Sequence, residues 1–457
     1  MDEARLEQEL FDAGRRLAHA LPAGARNPLK AADDKAMALA SQDAELKAAL
    51  FRFVDVVPAC RSLDDLARHL TGFLGEVEAA PPPVAVAMRM GNSRAGRTAL
   101  GAAATAGVKH MAHRFIVGES PKAALGTLRE LWKDGVASSV DLLGEATVTQ
   151  AEAQRYAERC TEALETLAAA ARSWPERPAL ERDGAGALPR ANLSVKVSAL
   201  TPLLRADAPE RGKRDAADRL RGLLRRARDL DAHLHIDMES LDSRDAVLEL
   251  VLELLAEAEF RPGPSAGMVL QAYLRDSPQT LDTVLDWTAG AGAGRAHPLT
   301  VRLVKGAYWD HEVVEAAQHG WSAPVFEVKA DSDRNFEQLT RRLLDNHAVL
   351  RVAIASHNLR SIAHAIAYNE LIGGAPHDVE YQVLRGLGDP LQEAIAAREL
   401  RVRTYCPVGD LVAGMAYLVR RLLENTSNDS FLADQARGAA LEELLAPPAA
   451  ASASADR

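Results

Sequence analysis

From about residue 137 onward the chain repeats one unit, a short β-rich segment followed by a helical stretch. Eight such segments are present: SVDLL (139–143), LSVKVS (193–198), HLHIDM (233–238), MVLQAY (268–273), VRLVK (301–305), RVAIAS (351–356), VEYQVL (379–384) and VRTYC (402–406). A helix between two strands carries the chain back over the sheet, so that the second strand lies parallel to the first. Eight such units, over roughly 290 residues, match a closed (β/α)8 TIM-type barrel. An open doubly wound sheet fits less well, because no G-x-G-x-x-G turn follows the first strand. The chain thus divides into a helical arm and cap over 1–135, the α/β barrel over 136–435, and an Ala-rich, low-complexity tail over 436–457 that reads as disordered.

The first 135 residues carry helical patterning and no clear β pattern. Leu6, Leu10, Ala13 and Leu17 form one stripe, and 64–74 reads as another short helix. Three consecutive prolines at 81–83 are the sharpest break, since proline cannot continue a helix. The apolar segment 54–57, within FRFVDVVP, is expected to pack against the main domain. A net charge of −10 argues against nucleic acid as a partner, because phosphate binding needs a basic surface. The three cysteines, Cys60, Cys160 and Cys406, are far apart and lack metal-type spacing, which suits a reducing compartment. MDEARLEQEL at the N-terminus lacks an apolar stretch of the secretory kind, and no run of 18 apolar residues occurs. A cytoplasmic protein is expected.

In a barrel, chemistry collects where the strands end. Those ends carry Glu145, Lys196, Ser198, Asp237, Glu239, Gln271, Arg302, Lys305, Tyr308, His357, Asn358, Gln382, Leu384 and Tyr405. So many polar groups at equivalent positions would be costly in a plain core. Beyond the last strand, Tyr417, Arg420, Arg421 and Glu424 fall at i, i+3, i+4 and i+7, sharing one face of a predicted helix. Leu411, Met415, Leu418 and Leu422 take the opposite face. Guanidinium forks match carboxylate geometry, so this face suits a small acid; the plain alternative is an amphipathic helix with its polar side in water. A rival reading is a metal-dependent barrel hydrolase using His233, His235 and Asp237, which alternate on one strand face. Against it, His233 lies about 13 Å from Asp237, towards the barrel floor, at about 3.3 Å per residue. A non-catalytic binding domain is a further alternative, with no evident use for converging charges.

The segments RLVKGAYW (302–309), ASHN (355–358), EYQVLRGLGDPL (380–391), YCPVG (405–409) and YLVRRLLEN (417–425) resemble the proline dehydrogenase family. They are most like the proline dehydrogenase domain of bacterial bifunctional proline-utilisation enzymes. SVKVSAL (194–200), HIDMES (235–240), DLLGEA (141–146) and FRFVDVVP (51–58) extend the resemblance, which covers roughly residues 50 to 432 in matching order. It implies a distorted (β/α)8 barrel that binds FAD, with the last helix across its mouth. The implied reaction is oxidation of L-proline to Δ1-pyrroline-5-carboxylate, the first step of proline catabolism. Hydride passes to flavin N5, and electrons go on to a membrane quinone. Contact with the inner face of the membrane is then peripheral, and a pyrroline-5-carboxylate (glutamate semialdehyde) dehydrogenase is the implied functional partner.

Carried over residue by residue, the resemblance gives Asp237, Tyr308, Arg420 and Arg421 as catalytic. Lys196, Arg420 and Arg421 hold the proline carboxylate, Glu424 shares their charge, and Glu145 pairs with Arg420 as a gate. Tyr405, Tyr417 and Leu384 sandwich the pyrrolidine ring, and Asp237 and Tyr308 line the same cavity. For FAD it points to Val269, Gln271, Arg302, Val304, Lys305, Gly306, Ala307, Trp309, Lys329, Ser356, His357, Asn358, Gln382, Leu384, Arg421 and Glu424. No metal is implied. The base that takes the amine proton is water or Asp237. The sequence departs from the family pattern at Arg385, where a histidine is usual, and at Asp389; both bear on loop packing. Nothing like an aldehyde dehydrogenase half follows Leu445 and no DNA-binding arm precedes, so the expectation is a stand-alone enzyme or a piece of a bifunctional one.

Overall fold

A computed structural model describes residues 2–22, 44–78, 81–144, 147–410, 414 and 438–449. Eight parallel strands close into a barrel: β1 (Val136–Leu142), β2 (Ala191–Lys196), β3 (Ala232–Asp237), β4 (Ser265–Gln271), β5 (Leu299–Val304), β6 (Leu350–Ala355), β7 (Val379–Leu384) and β8 (Val402–Val408). Each pairs with its sequence neighbours, and β1 closes the ring against β8 with Ser139 opposite Tyr405. All eight predicted segments are strands, but four of them begin two or three residues earlier than expected. The early residues include Val136, Ala191, Ser265 and Gly267, and Ala, Ser and Gly give little β signal on their own.

The outward strand faces are apolar and pack under the helical ring. That ring includes α7 (Gln150–Ala171), α8 (Pro209–Asp229), α9 (Leu241–Ala256), α10 (Ser277–Ala289), α11 (Trp309–His319), α12 (Lys329–Asp345), α13 (Leu359–Leu371) and α14 (Asp389–Ala397). The inward faces are polar, unlike the branched aliphatic layers usual in such barrels. Near the floor Arg403 makes a two-point ion pair with Glu380 at 2.8 and 2.9 Å. A hairpin formed by Arg182–Asp183 and Gly186–Ala187 brings Asp183 beneath the barrel, where it accepts from Arg351 at 2.9 Å and Arg401 at 3.0 Å. Each buried cation therefore has a carboxylate in contact, which makes a charged interior tolerable. Between these pairs and the histidines above lies a cavity of about 20 Å³, lined by Asn192, His233, His235, Glu380 and Gln382 among others. It has room for a single water.

Before the barrel come α1 (Glu3–Ala20), α2 (Ala44–Val56), α3 (Leu63–Leu74), α4 (Pro82–Met90), α5 (Arg94–Phe115) and α6 (Pro121–Lys133). The α1 stripe buries Leu6, Leu10, Ala13 and Leu17 against α13. Its three leucines contribute about 1.5–3 kcal/mol each. Arg360 of α13 fastens α1 through Glu7 at 2.7 and 3.0 Å. The chain returns at Leu445, whose side chain lies where a Cβ at Gly14 would stand, 2.5 Å away. The proline run behaves differently from its reading as a break alone. Pro81 caps α4 and Pro82 begins it, where the missing N–H has no helical partner to lose.

Helices α2 to α5 form a second apolar cluster around Leu46, Phe53, Leu66, Leu70 and Phe115. It reaches Leu143 and Leu387 in loops at the barrel mouth, so the expected packing of 54–57 takes place within the cap, with Val54 in the cluster and Val57 at its edge. After α5, Val117 N–H donates to Pro407 O and Gly409 N–H to Gly118 O, each at 3.0 Å. The cap is thereby joined to β8.

Candidate active site

At the carboxyl ends of the strands, period-two alternation turns Asp141, Lys196, Asp237 and Tyr405 into the barrel, with Arg302 one layer below. Lys196 Nζ donates to Asp141 Oδ1 at 2.8 Å and stands 3.6 Å from Asp237 Oδ2. Arg302 donates to Asp237 Oδ1 at 2.8 Å. Ser194 O–H reaches the same oxygen at 2.7 Å, and Tyr405 O–H reaches Oδ2 at 2.7 Å. The Arg302 guanidinium lies 5.4 Å from the centre of the Tyr405 ring. Two carboxylates and two cations make a neutral quartet.

The electrostatics follow from this packing. Burial pushes the Asp237 carboxyl up, but Lys196 and Arg302, with the Ser194 and Tyr405 donors, outweigh it and hold the group below the usual carboxylate range. Asp237 is therefore a fixed negative charge whose oxygens are already engaged, and a poor proton acceptor at neutral pH. Burial, then the Asp141 and Asp237 carboxylates, pushes the Tyr405 hydroxyl well above its ordinary value, so it remains a donor.

A second group lies beyond the ends of β5 and β6. Lys305 pairs with Asp333, and Lys329 reaches the other oxygen of Asp333 at 2.7 Å. Two cations share one carboxylate, leaving a surplus positive charge. Gly306 adopts φ +138, and a Cβ there would stand 2.2 Å from the Tyr273 ring, so the backbone passes where a side chain would not fit. Trp309 is 39 % exposed with its Nε1–H on Phe326 O at 2.9 Å. Arg302 Nε and Gln271 Oε1 are buried with no hydrogen-bond partner among the described residues. Surplus cation, an open aromatic and unsatisfied buried donor and acceptor are a set that fits a phosphate-bearing, flat-ringed cofactor such as FAD.

Other expected site residues are already committed locally. Asn358 caps α13 by accepting from Ser361 N–H at 3.1 Å, and Ser356 Oγ accepts from Asn358 N–H at 3.1 Å. His357 Nε2 accepts the Leu384 N–H at 2.9 Å, joining the loop after β6 to the end of β7. Gln382 donates to Glu380 at 2.6 Å and lines the lower cavity. Val269 is a buried wall of β4, Val304 is half-buried at the end of β5, and Ala307 is exposed. Tyr308 packs with Tyr273, Leu274 and Val325, and Leu384 packs against the cap. Asp389 accepts Gly386 N–H at 2.9 Å, so the departure at that position closes a turn. Glu145, Tyr417, Arg420, Arg421 and Glu424 lie outside the described residues.

The metal-hydrolase alternative finds no support in the geometry of its three residues. His233 and His235 share a hydrogen bond at 3.2 Å, His233 turns its other nitrogen to Ser265 at 2.9 Å, and Asp237 faces Arg302. Reading the strand tips missed Asp141, Ser194 and Ser139. Counting back two residues from Lys196 reaches Ser194, and the same alternation reaches Ser139 and Asp141 on β1.

A closed parallel barrel whose strand ends gather paired charges around a mouth is the architecture of a barrel enzyme. The proline dehydrogenase family profile matches residues 124–434, and that of the proline utilization A N-terminal domain matches 7–115. The chain belongs to the proline dehydrogenase family. The second match carries the likeness upstream to residue 7, beyond the segments from about residue 50 that first suggested it. Bifunctional protein PutA of Klebsiella aerogenes is 33% identical over 353 residues, covering 75% of this chain and 25% of that protein. Proline dehydrogenase of Deinococcus radiodurans is 27% identical over 325 residues, covering 71% of this chain and 89% of that protein. A crystal structure of proline utilization A from Bdellovibrio bacteriovorus, inactivated by N-propargylglycine, superposes with a TM-score of 0.87 at 36% identity. That likeness covers 97% of this chain and 44% of the other. The chain thus spans about a quarter of the bifunctional Klebsiella relative.

Proposed function

We propose that this chain oxidises L-proline to Δ1-pyrroline-5-carboxylate, the first step of proline catabolism, using FAD and a quinone acceptor. The observation that carries the reading is the neutral quartet of Asp141, Lys196, Asp237 and Arg302 beside Tyr405, set in a chain of this family. When bound, FAD supplies a two-electron acceptor that returns its electrons to the quinone. Arg302, Gln271, Lys305, Lys329, the Gly306 backbone and Trp309 are the residues that would hold it.

On this reading Lys196 meets the proline carboxylate, together with Arg420 and Arg421 from the segment after β8. Tyr405 and Leu384 offer aromatic and aliphatic walls to the pyrrolidine ring, and Tyr417 would complete them. Glu145 and Glu424 balance the added guanidinium groups, and Tyr308 borders the site. Asp237 acts as a held counter-charge: it keeps Arg302 and the Tyr405 hydroxyl in place while the ring nitrogen loses its proton to water. Quinone access calls for contact with a membrane surface; among the described residues no helix is long and apolar enough to cross one. The dehydrogenase that would consume the product is a functional partner on the same reading.

The test is direct. Purified protein should be yellow, release FAD identified by mass, and convert L-proline to a product two hydrogens lighter when a soluble quinone is supplied. Arg421→Met should raise the proline KM far more than it lowers thermal stability. Colourless protein that leaves proline untouched after flavin is supplied contradicts the proposal.

A further inference from the structure

We infer that Asp141 is a positioning residue for substrate binding, holding the Lys196 ammonium at the barrel mouth in the place where a carboxylate is received. The inference rests on the reading that Lys196 meets the proline carboxylate, and it deepens that reading by naming the group that aims the lysine.

Asp141 is 2% exposed near the end of β1, in register with Ser194 of β2. Lys196 is two residues further along β2, and its side chain crosses to Asp141 Oδ1 at 2.8 Å. A lysine stem has four rotatable carbons and a compact charge, so it takes its position from whatever anion holds it. Among the described residues two carboxylates compete for this one. Asp237 is the farther, at 3.6 Å, and its oxygens already accept from Arg302, Ser194 and Tyr405. Asp141 is the nearer, and it makes the charge-assisted hydrogen bond. Without it the attraction to Asp237 draws Nζ toward the neighbouring strand β3, away from its present position.

Charge as well as shape is required. The Lys196 side chain is only 12% exposed and needs a counter-charge; Asp141 supplies one while Asp237 answers Arg302. An ammonium has three N–H donors, so the bond to Asp141 steers it without exhausting it. A neutral amide at 141 would fill the same space but lose the contest with Asp237.

The experiment is a double-mutant cycle on the flavin-loaded protein, using Asp141→Asn, Lys196→Met and both together, with kcat, KM for L-proline, flavin content and Tm for each. Asp141→Asn should raise KM about tenfold with kcat changed less than about threefold, since a hydrogen bond to a charged group is at stake. In the Lys196→Met background the same change should alter KM less than about twofold, the sign of two residues acting through one contact. Asp141→Glu, which keeps the charge, should recover most of the affinity. An Asp141→Asn KM within about twofold of wild type, or an equal rise with and without the lysine, overturns the inference. If Asp141→Asn loses its fold, Asp141→Ser carries the same cycle. Wild-type protein that leaves proline unoxidised removes the preceding proposal instead. Calorimetric binding of L-proline and acetate to the four proteins then decides the role of Asp141 separately.

Discussion

Arg302→Met tests whether the charge quartet carries the weight assigned to it. Arg302 is 4% exposed, donates to Asp237 at 2.8 Å, and stands 3.5 Å from both Ser194 and Ser139. Methionine fills much of the volume but leaves two carboxylates against one cation. Breaking a buried pair costs about 3–5 kcal/mol, and Lys196, 3.6 Å from Asp237, offsets part of that. A net loss of about 3 kcal/mol is expected. At about 2.1 cal/mol/K per residue over roughly 300 barrel residues, the unfolding entropy is about 0.6 kcal/mol/K, so Tm falls by about 5 °C. The pH dependence has a definite sign. The wild-type Asp237 carboxyl is held below its unfolded value, so its contribution is present above about pH 4 and is lost as pH falls through the folded value. In the variant, burial opposes Lys196 and the Ser194 and Tyr405 donors without the help of Arg302, and the carboxyl moves up. The Tm difference should therefore be widest near pH 7 and narrow toward about pH 4. Calorimetry on flavin-free proteins across that range is the assay. A Tm within about 1 °C of wild type, or a pH-independent gap, refutes the reasoning.

Other outcomes follow from the barrel interior. At Gly267 a Cβ would stand 2.3 Å from His235 Nδ1 and 2.9 Å from Thr300 O, so Gly267→Ala should destabilise by about 1–3 kcal/mol in urea unfolding. Burial, then Arg403, lowers His233 to about 3, and burial first also lowers His235 and His364. These rings are neutral when folded, so their contribution is full above about pH 6.5 and is lost as pH falls, at up to about 1.4 kcal/mol per pH unit per ring. A urea midpoint that stays level from pH 7.5 to about 5.5 would contradict this. Burial pushes the Cys160 and Cys406 thiols up to about 12, so both should resist a thiol reagent until the protein unfolds. Prompt labelling of either in the folded protein would show that the barrel wall opens.

The barrel was legible because eight β-rich segments recur with helices between them, and every one is a strand. Its polar lining was legible only in part. Strand tips such as Lys196 and Asp237 announce themselves, whereas Asp141, Ser194 and Ser139 matter through neighbours supplied by other strands, and such pairing is not visible along one strand. Asp183 is the extreme case: it lies in a two-residue strand of a small hairpin, yet it accepts from both Arg351 and Arg401 under the barrel. The proline run stands between two helices as a break and has a second role besides. A breaker by local rule, it opens α4, because proline is tolerated in a first helical turn.

The most direct measurement mixes flavin-loaded protein with L-proline in the absence of oxygen and follows the flavin absorbance. Bleaching in the wild type, slowed by at least about tenfold in Lys196→Met at the same subsaturating proline concentration, is the expected result. Bleaching at equal rates in both proteins, or none in the wild type, contradicts a proline site built on the quartet at the strand ends.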